Sequence, residues 1–401
     1  MRITGALLVI ALLFVSLGGL GGCRTTGGVA PGEVRVRRRP PVPMPEQVRA
    51  IWVARYHYYS PEDVRAVIRN CAALGCNTVL WQVRGEGTVG YPSRIEPWSR
   101  EYAFRDPGFD PLAIAVEAAH KHGLRIEAYV NVMPGWKGRK PPPVRSQLHY
   151  THPEWFLRDE SGRRQPLGDF YVVLNPCWPE VRRHIASVVE EIVARYDVDG
   201  VHLDYVRYAW DGTKDARKRY PRDSRTLALY RRDTGRHPDD DPRAWNAWRA
   251  NQLTRLVDDI RTAVDRSRPG ATLTAAVWRN PQLGYRDYLQ NGVAWLRAGL
   301  VDALMPMAYT TKLERLTADI ESYRRLVGKR RVVPGLGIYL HEEPGQMRGQ
   351  VQQCMRWGGD FALFSYASLF PTPGDARSKA AQREAAERMR ASRRAVLGDY
   401  R

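Results

Sequence analysis

Acidic residues are scarce beside basic ones in this sequence: 43 Asp and Glu face 62 Lys and Arg, for a net charge of +19. Such a balance favours an anionic surface or polymer as neighbour. The excess of arginine over lysine is also what a biased genome produces, and no basic stretch is interleaved with aromatics as in a nucleic-acid module, so no nucleic-acid partner is expected. Cysteine is equally sparse, five in 401 residues. With no Cys-x-x-Cys and no Cys/His spacing, a zinc site of that type is excluded, and neither metal nor cofactor is expected. Cys71 and Cys76, five apart around the end of an apparent helix, are either a pair or buried free thiols. No glycine-rich phosphate loop follows the first strand, which argues against a doubly wound dinucleotide fold. The last stretch, 376–401, reads as a basic helix without a sustained apolar heptad and is assigned to packing or to a membrane surface.

What is present begins at the N-terminus. Met1-Arg2 gives a short positive start, Ile3 to Leu20 is almost wholly apolar or small, and Gly21-Gly22-Cys23 follows. The run is short for a spanning helix and reads as an export signal, 1–23, whose end resembles a bacterial lipobox with Cys23 as the acylated mature terminus. An ordinary leader or uncleaved anchor with an incidental cysteine is the alternative. Arg24 in place of Asp fits onward transfer to an outer membrane where the cell has one. Residues 24–47, rich in Gly, Pro and Arg, read as a tether.

From 48 to 375, short β-branched or aromatic runs alternate with amphipathic helical stretches, the rhythm of repeated βα units. The strands read Val48–Arg55, Thr78–Gly85, Arg125–Met133, Gly200–Arg207, Thr272–Asn280, Asp302–Tyr309, Val332–Tyr339 and Phe361–Leu369. Each is apolar enough to be covered on both faces. Helices over 61–74, 111–122, 179–196 and 245–266 mostly open with a cap or a proline. Eight such units with right-handed crossovers predict a (β/α)8 barrel, with a doubly wound sheet as the alternative. The connections after strands three and four, 134–176 and 208–243, are long, and long ordered loops are often functional.

The most informative segment is Asp199-Gly200-Val201-His202-Leu203-Asp204-Tyr205-Val206-Arg207, where polar groups interrupt an apolar strand. Alternation puts His202, Asp204 and Val206 on one face and Tyr205 and Arg207 on the other. A carboxylate aimed into a barrel mouth is costly unless it is paired or working, so Asp204 is the first candidate for general acid or base. The competing role is a structural ion pair with Arg207 or Arg84. Gln82, Arg84 and Glu86 share a face of the second strand, Glu86 being the leading second carboxylate unless it is solvated in the loop, with Glu342 or Glu343 behind it. Asn131 on the third strand is a hydrogen-bonding candidate, and Glu127 lies deeper. Trp98, Trp136, Trp155, Trp210, Trp278, Tyr205, Tyr309 and Tyr366 fall in or near the upper loops, where aromatic rings suit the apolar faces of sugars.

At this point the sequence resembles glycosyl hydrolase-like family 10, from about Val48 to Phe370. The resemblance is carried, in order, by Arg49-Ala50-Ile51-Trp52-Val53, Gln82-Val83-Arg84, Glu96-Pro97-Trp98-Ser99, Gly108-Phe109-Asp110-Pro111-Leu112, His152-Pro153-Glu154-Trp155, Leu174-Asn175-Pro176 and the Asp204 segment. It implies a barrel that hydrolyses β-linked amino-sugar strands, peptide-free peptidoglycan glycan among them. Asp204 and Glu86 would be catalytic, with Gln82, Arg84, Asn131, His202, Tyr205, Arg207, Trp278 and Tyr309 binding substrate. The commoner family pattern has a second Asp where this chain has Tyr205, which leaves the carboxylate partner of Asp204 open. The alternative is a non-catalytic glycan-binding envelope lipoprotein on a degenerate barrel.

Overall fold

The computed structural model describes residues 42–209 and 219–400. The export signal, Cys23, most of the tether and Trp210 lie outside the described residues. Strands β1 (Arg49–Val53), β2 (Thr78–Arg84) and β3 (Arg125–Asn131) are followed by a hairpin of β4 (Pro134–Gly138) and β5 (Gly168–Val173). Then come β6 (Gly200–Asp204), β7 (Thr272–Trp278), β8 (Ala303–Met307), β9 (Arg331–Val332), β10 (Gly335–Leu336) and β11 (Phe361–Leu363). All but the hairpin join one parallel sheet, in the order β10-β11-β1-β2-β3-β6-β7-β8-β9, which closes because β10 also pairs with β8. Counting the split β9–β10 segment as one, this is the eight-stranded (β/α)8 barrel.

The strands stop short of the lengths the sequence suggested, chiefly at their C-terminal ends. The seventh breaks at Val333-Pro334, where proline has no N–H to donate to a ladder. Pro334 instead accepts a bond from Ala362 N at 2.9 Å, which keeps the two halves in the wall. The helix Pro61–Ala73 has its Ser60 cap and Asp63 reciprocating, and Pro111–Lys121 starts from Asp110, so the punctuation signals act as read. Cys71, Cys76, Cys177 and Cys354 are buried free thiols, which decides between the two roles left open for Cys71 and Cys76. The closing helix Ala380–Gly398 is docked by Val396 and Leu397 and by Arg390, which grips Asp375 through two 2.9 Å bonds.

Side-chain alternation sorts the core into two layers. Ile51 and Val53 belong to the cluster between sheet and helices, whereas Ala50, Trp52, Leu80, Tyr129, Met305 and Ala362 fill the inside of the barrel. The interior also holds polar groups. Glu127 of β3 accepts from Thr272 Oγ1 at 2.8 Å and from Thr274 Oγ1 at 2.5 Å, both on β7, so its buried carboxylate is satisfied across the barrel interior. Gly200 permits that close approach: a Cβ there would lie 2.0 Å from Thr272 Oγ1. The long connection after β3 brings the β4–β5 hairpin to the C-terminal ends of the strands, and the described part of the one after β6 carries the helix Ser224–Thr234.

Candidate functional site

A cavity of about 160 Å3 opens at the C-terminal ends of the strands. Its floor is Trp52 from β1 and Tyr129 from β3; Gln82, Asn131 and Asp204 stand at the ends of β2, β3 and β6. Arg55 and Tyr56 enter from the turn after β1, Tyr171 from β5, Tyr205 and Arg207 from beyond β6, and Tyr309 and Phe364 from the far wall. Tyr309 stacks on Phe364 with centroids 5.2 Å apart, giving that wall a flat aromatic face.

Among the described residues, Asp204 is the one carboxylate that lines this cavity, and it is 6% exposed. Tyr129 Oη donates to its Oδ2 at 2.9 Å, while Tyr205 N and Arg207 Nη1 donate to Oδ1 at 2.5 and 3.1 Å. The Tyr205 bond requires an unusual backbone: φ there is 53°, the left-handed region that a bulky residue rarely adopts. That turn ends the alternation of β6. Tyr205 and Arg207 therefore line the cavity together with Asp204, not on the opposite face as strict period two predicts. The Arg207 guanidinium then packs 3.9 Å from the Tyr205 ring centroid. Burial, reinforced by the charge on Asp204, pushes the Tyr129 and Tyr309 phenols up, so both are hydrogen-bond donors throughout the physiological range.

His202 lies one layer below and does not line the cavity, which removes it from direct contact with a ligand there. Burial lowers it to about 4, so the ring is neutral. Trp52 Nε1, a donor only, meets Nε2 at 3.0 Å, which leaves the proton on Nδ1, 2.8 Å from Thr274 Oγ1. Thr274 passes the chain on to Glu127. The consequence is a floor indole fixed in position by a bonded series running from Trp52 to Glu127.

Two other expected site residues are drawn away from the cavity. Arg84 is fully buried and forms a bidentate pair with Glu96, both bonds 2.7 Å, with His184 3.0 Å from the same carboxylate. Its remaining nitrogen reaches the carbonyls of Asn131, Val132 and Pro134, so it pins the turn from β3 into the hairpin and does not neutralise Asp204. Glu86, 1% exposed, sits between Arg55 and Arg100 and lines neither cavity. Glu342 and Glu343 are exposed at the start of the helix Pro344–Arg356 and are equally remote. Gln82 and Asn131 do face the cavity. Gln82 Oε1 accepts from Arg55 N at 3.1 Å, and the buried Asn131 Oδ1 has no partner among the described residues.

Among the aromatic candidates, Tyr205, Tyr309 and Trp278 reach a cavity. Trp98 packs on Tyr102, Trp136 lies under Arg100, Trp155 stacks on His152, and Tyr366 bonds Asn70. Sequence reasoning missed Trp52, Arg55, Tyr56, Tyr171 and Phe364. Tyr129 is two residues from Asn131 on β3 and so shares its face by strand alternation, which is the signal that could have found it. A second cavity, about 340 Å3, adjoins the first through a shared wall of Tyr171, Tyr205 and Arg207. It is bounded by Lys137, Asp169 and Phe170 of the hairpin on one side and by Trp278 and Tyr288 on the other. Among the described residues, no group of three His, Cys, Asp or Glu is arranged to hold a metal ion.

Known proteins bear on this arrangement. The profile of the family described as Glycosyl hydrolase-like 10 matches residues 47–353. "Glycosyl hydrolase DigH" of Escherichia coli K12 is 30% identical over 263 residues, 59% of this chain and 55% of that protein. "Glycosyl hydrolase YngK" of Bacillus subtilis is 28% identical over 260 residues, 59% of this chain and 46% of the relative. The chain thus spans about half the length of the curated relatives it matches. In structure, the glycoside hydrolase domain of PgaB from Bordetella bronchiseptica superposes with a TM-score of 0.61 at 17% identity, covering 81% of this chain and 96% of that one. An α-L-fucosidase isoenzyme from Paenibacillus thiaminolyticus gives 0.58 at 17% identity over 88% of this chain and 49% of the other; both likenesses concern the barrel fold.

Proposed function

The chain belongs to the glycosyl hydrolase-like 10 family, and from that premise we propose that it hydrolyses β-linked amino-sugar polysaccharide, specifically the peptide-free glycan strands of peptidoglycan. The observation that carries the reading is Asp204: a buried carboxylate at a barrel mouth, ringed by aromatic faces and fixed by three donors. Those donors make Asp204 an acceptor, the arrangement suited to a base, a nucleophile or a stabiliser of positive charge developing on a sugar ring. Tyr129, Tyr205 and Arg207 hold it in place, Trp52 and Tyr309 cover ring faces, and Gln82 and Asn131 meet hydroxyl or amide groups. A membrane-anchored position, through an export signal and acylation of Cys23, is the cellular setting proposed with it; the net charge of +19 suits an anionic envelope.

The test is release of new reducing ends by the full-length chain from peptide-stripped peptidoglycan, beside intact peptidoglycan and a neutral chitin oligomer. Release from the stripped strands is expected; binding to them with no release from any substrate would move the reading to a glycan-binding protein on a degenerate barrel.

Asn131 supplies a separate check. Its Oδ1 is buried with no partner among the described residues, and such an atom carries a desolvation cost that a bound donor would relieve. Asn131→Leu is expected to leave the melting temperature unchanged or raised while weakening glycan binding by roughly three- to tenfold, the worth of one hydrogen bond. Thermal denaturation and calorimetric titration read the two effects; a destabilised variant with unaltered binding would assign Asn131 to the scaffold.

A further inference from the structure

We infer that the second cavity is a subsite for a sugar bearing a carboxylate substituent, with Lys137 as the counter-ion. The inference rests on the reading of the first cavity as a glycan site and names which residue of the strand lies next to it. Three observations support it. The cavities share Tyr171, Tyr205 and Arg207, so a chain bound at Asp204 continues into the second without leaving the wall. The second has about twice the volume, 340 against 160 Å3, and is flanked by Trp278 and Tyr288, whose rings lie 4.4 Å apart, so it has both the room and the apolar face for a substituted ring.

The charge pattern is the third. Among the described residues that line the cavity the carboxylate is Asp169, which accepts two bonds from Arg139, at 2.9 and 2.5 Å. Arg207 is taken up by Asp204. Lys137 lies with its ammonium 5.3 Å from the Tyr171 ring centroid and, among the described residues, has no carboxylate within ion-pair distance. Asp169, whose carboxyl the charge of Lys137 helps to hold down, is already bonded to Arg139, so a carboxylate one substituent away from the sugar ring is what would engage the ammonium directly.

The experiment is equilibrium binding of the full-length chain to peptide-free strands and to the same strands with their carboxylates reduced to alcohols by carbodiimide and borohydride. At low salt the native strands are expected to bind about fivefold more tightly, a preference that shrinks at high salt as for any partly exposed ion pair. Lys137→Gln should erase the preference without altering affinity for the reduced strands, and Lys137→Arg should restore it. Equal binding of both strands by the unaltered chain, equal loss on both in Lys137→Gln, or binding to neither would overturn the inference. Because the readout is binding, failure to cleave would count against the hydrolase reading alone.

Discussion

Glu96→Ala will lower the unfolding free energy by about 3–5 kcal/mol, the cost of leaving a buried guanidinium without its partner. The melting temperature should fall by on the order of 5–10 °C. The reason is the geometry of Arg84. It is fully buried, both of its bonds to Glu96 are 2.7 Å, and its other nitrogen holds the backbone where β3 turns into the hairpin. With Glu96 gone, the charge remains and water cannot reach it. Replacing both partners, Arg84→Met with Glu96→Leu, should cost less than Glu96→Ala alone, because no unpaired charge is then buried. The pair also sets a pH dependence. Burial by itself would raise the Glu96 carboxyl, but Arg84 and His184 together bring it down to about 2 from an ordinary 4.5. A depressed carboxylate stabilises the fold fully above its unfolded value. That contribution is present above about pH 5 and drains away as pH falls toward 2, in the unaltered protein but not in the double variant. Denaturant unfolding from pH 7 to pH 3 measures the difference.

Asp204→Asn will lower kcat on peptide-free strands by about 10^2–10^4-fold, the usual range for loss of an acid–base group, with glycan affinity changed by less than about threefold. The substitution is isosteric, and the site can accommodate it. An amide oxygen in place of Oδ1 still accepts from Tyr205 N and Arg207, and the new NH2 in place of Oδ2 faces the Tyr129 hydroxyl, which rotates to accept. Fold and binding are therefore retained while the anionic oxygen is lost. A variant that keeps more than a tenth of the activity would place the chemistry on another group; one that also loses glycan binding would make Asp204 a ligand anchor.

Period-two alternation carried much of this architecture in the sequence itself. It separates Ile51 and Val53 from Ala50 and Trp52, and it aims His202 and Asp204 into the barrel. It fails one residue past Asp204, because a strand rule carries no information about a left-handed φ at Tyr205. Arg84 was misplaced for a different reason. A lone arginine at a strand end looks like a ligand-binding group until its partner is known, and Glu96 comes twelve residues later across an irregular loop. Both residues lie in segments that carry the family resemblance, Gln82-Val83-Arg84 and Glu96-Pro97-Trp98-Ser99, and their meeting gives that pattern a structural reason. Tyr171 was missed because Phe170-Tyr171-Val172-Val173, although an aromatic and β-branched run, lies inside a connection read whole as a loop and pairs with β4 outside the barrel sheet.

The central claim is that glycan is cut in the cavity around Asp204. A crystal structure of the Asp204→Asn chain soaked with a tetrasaccharide from peptide-free peptidoglycan tests it most directly. The account predicts a sugar ring between Trp52 and Tyr309, with its glycosidic linkage within about 3.5 Å of the substituted side chain. A tetrasaccharide bound elsewhere on the barrel, with this cavity filled only by water, would contradict it.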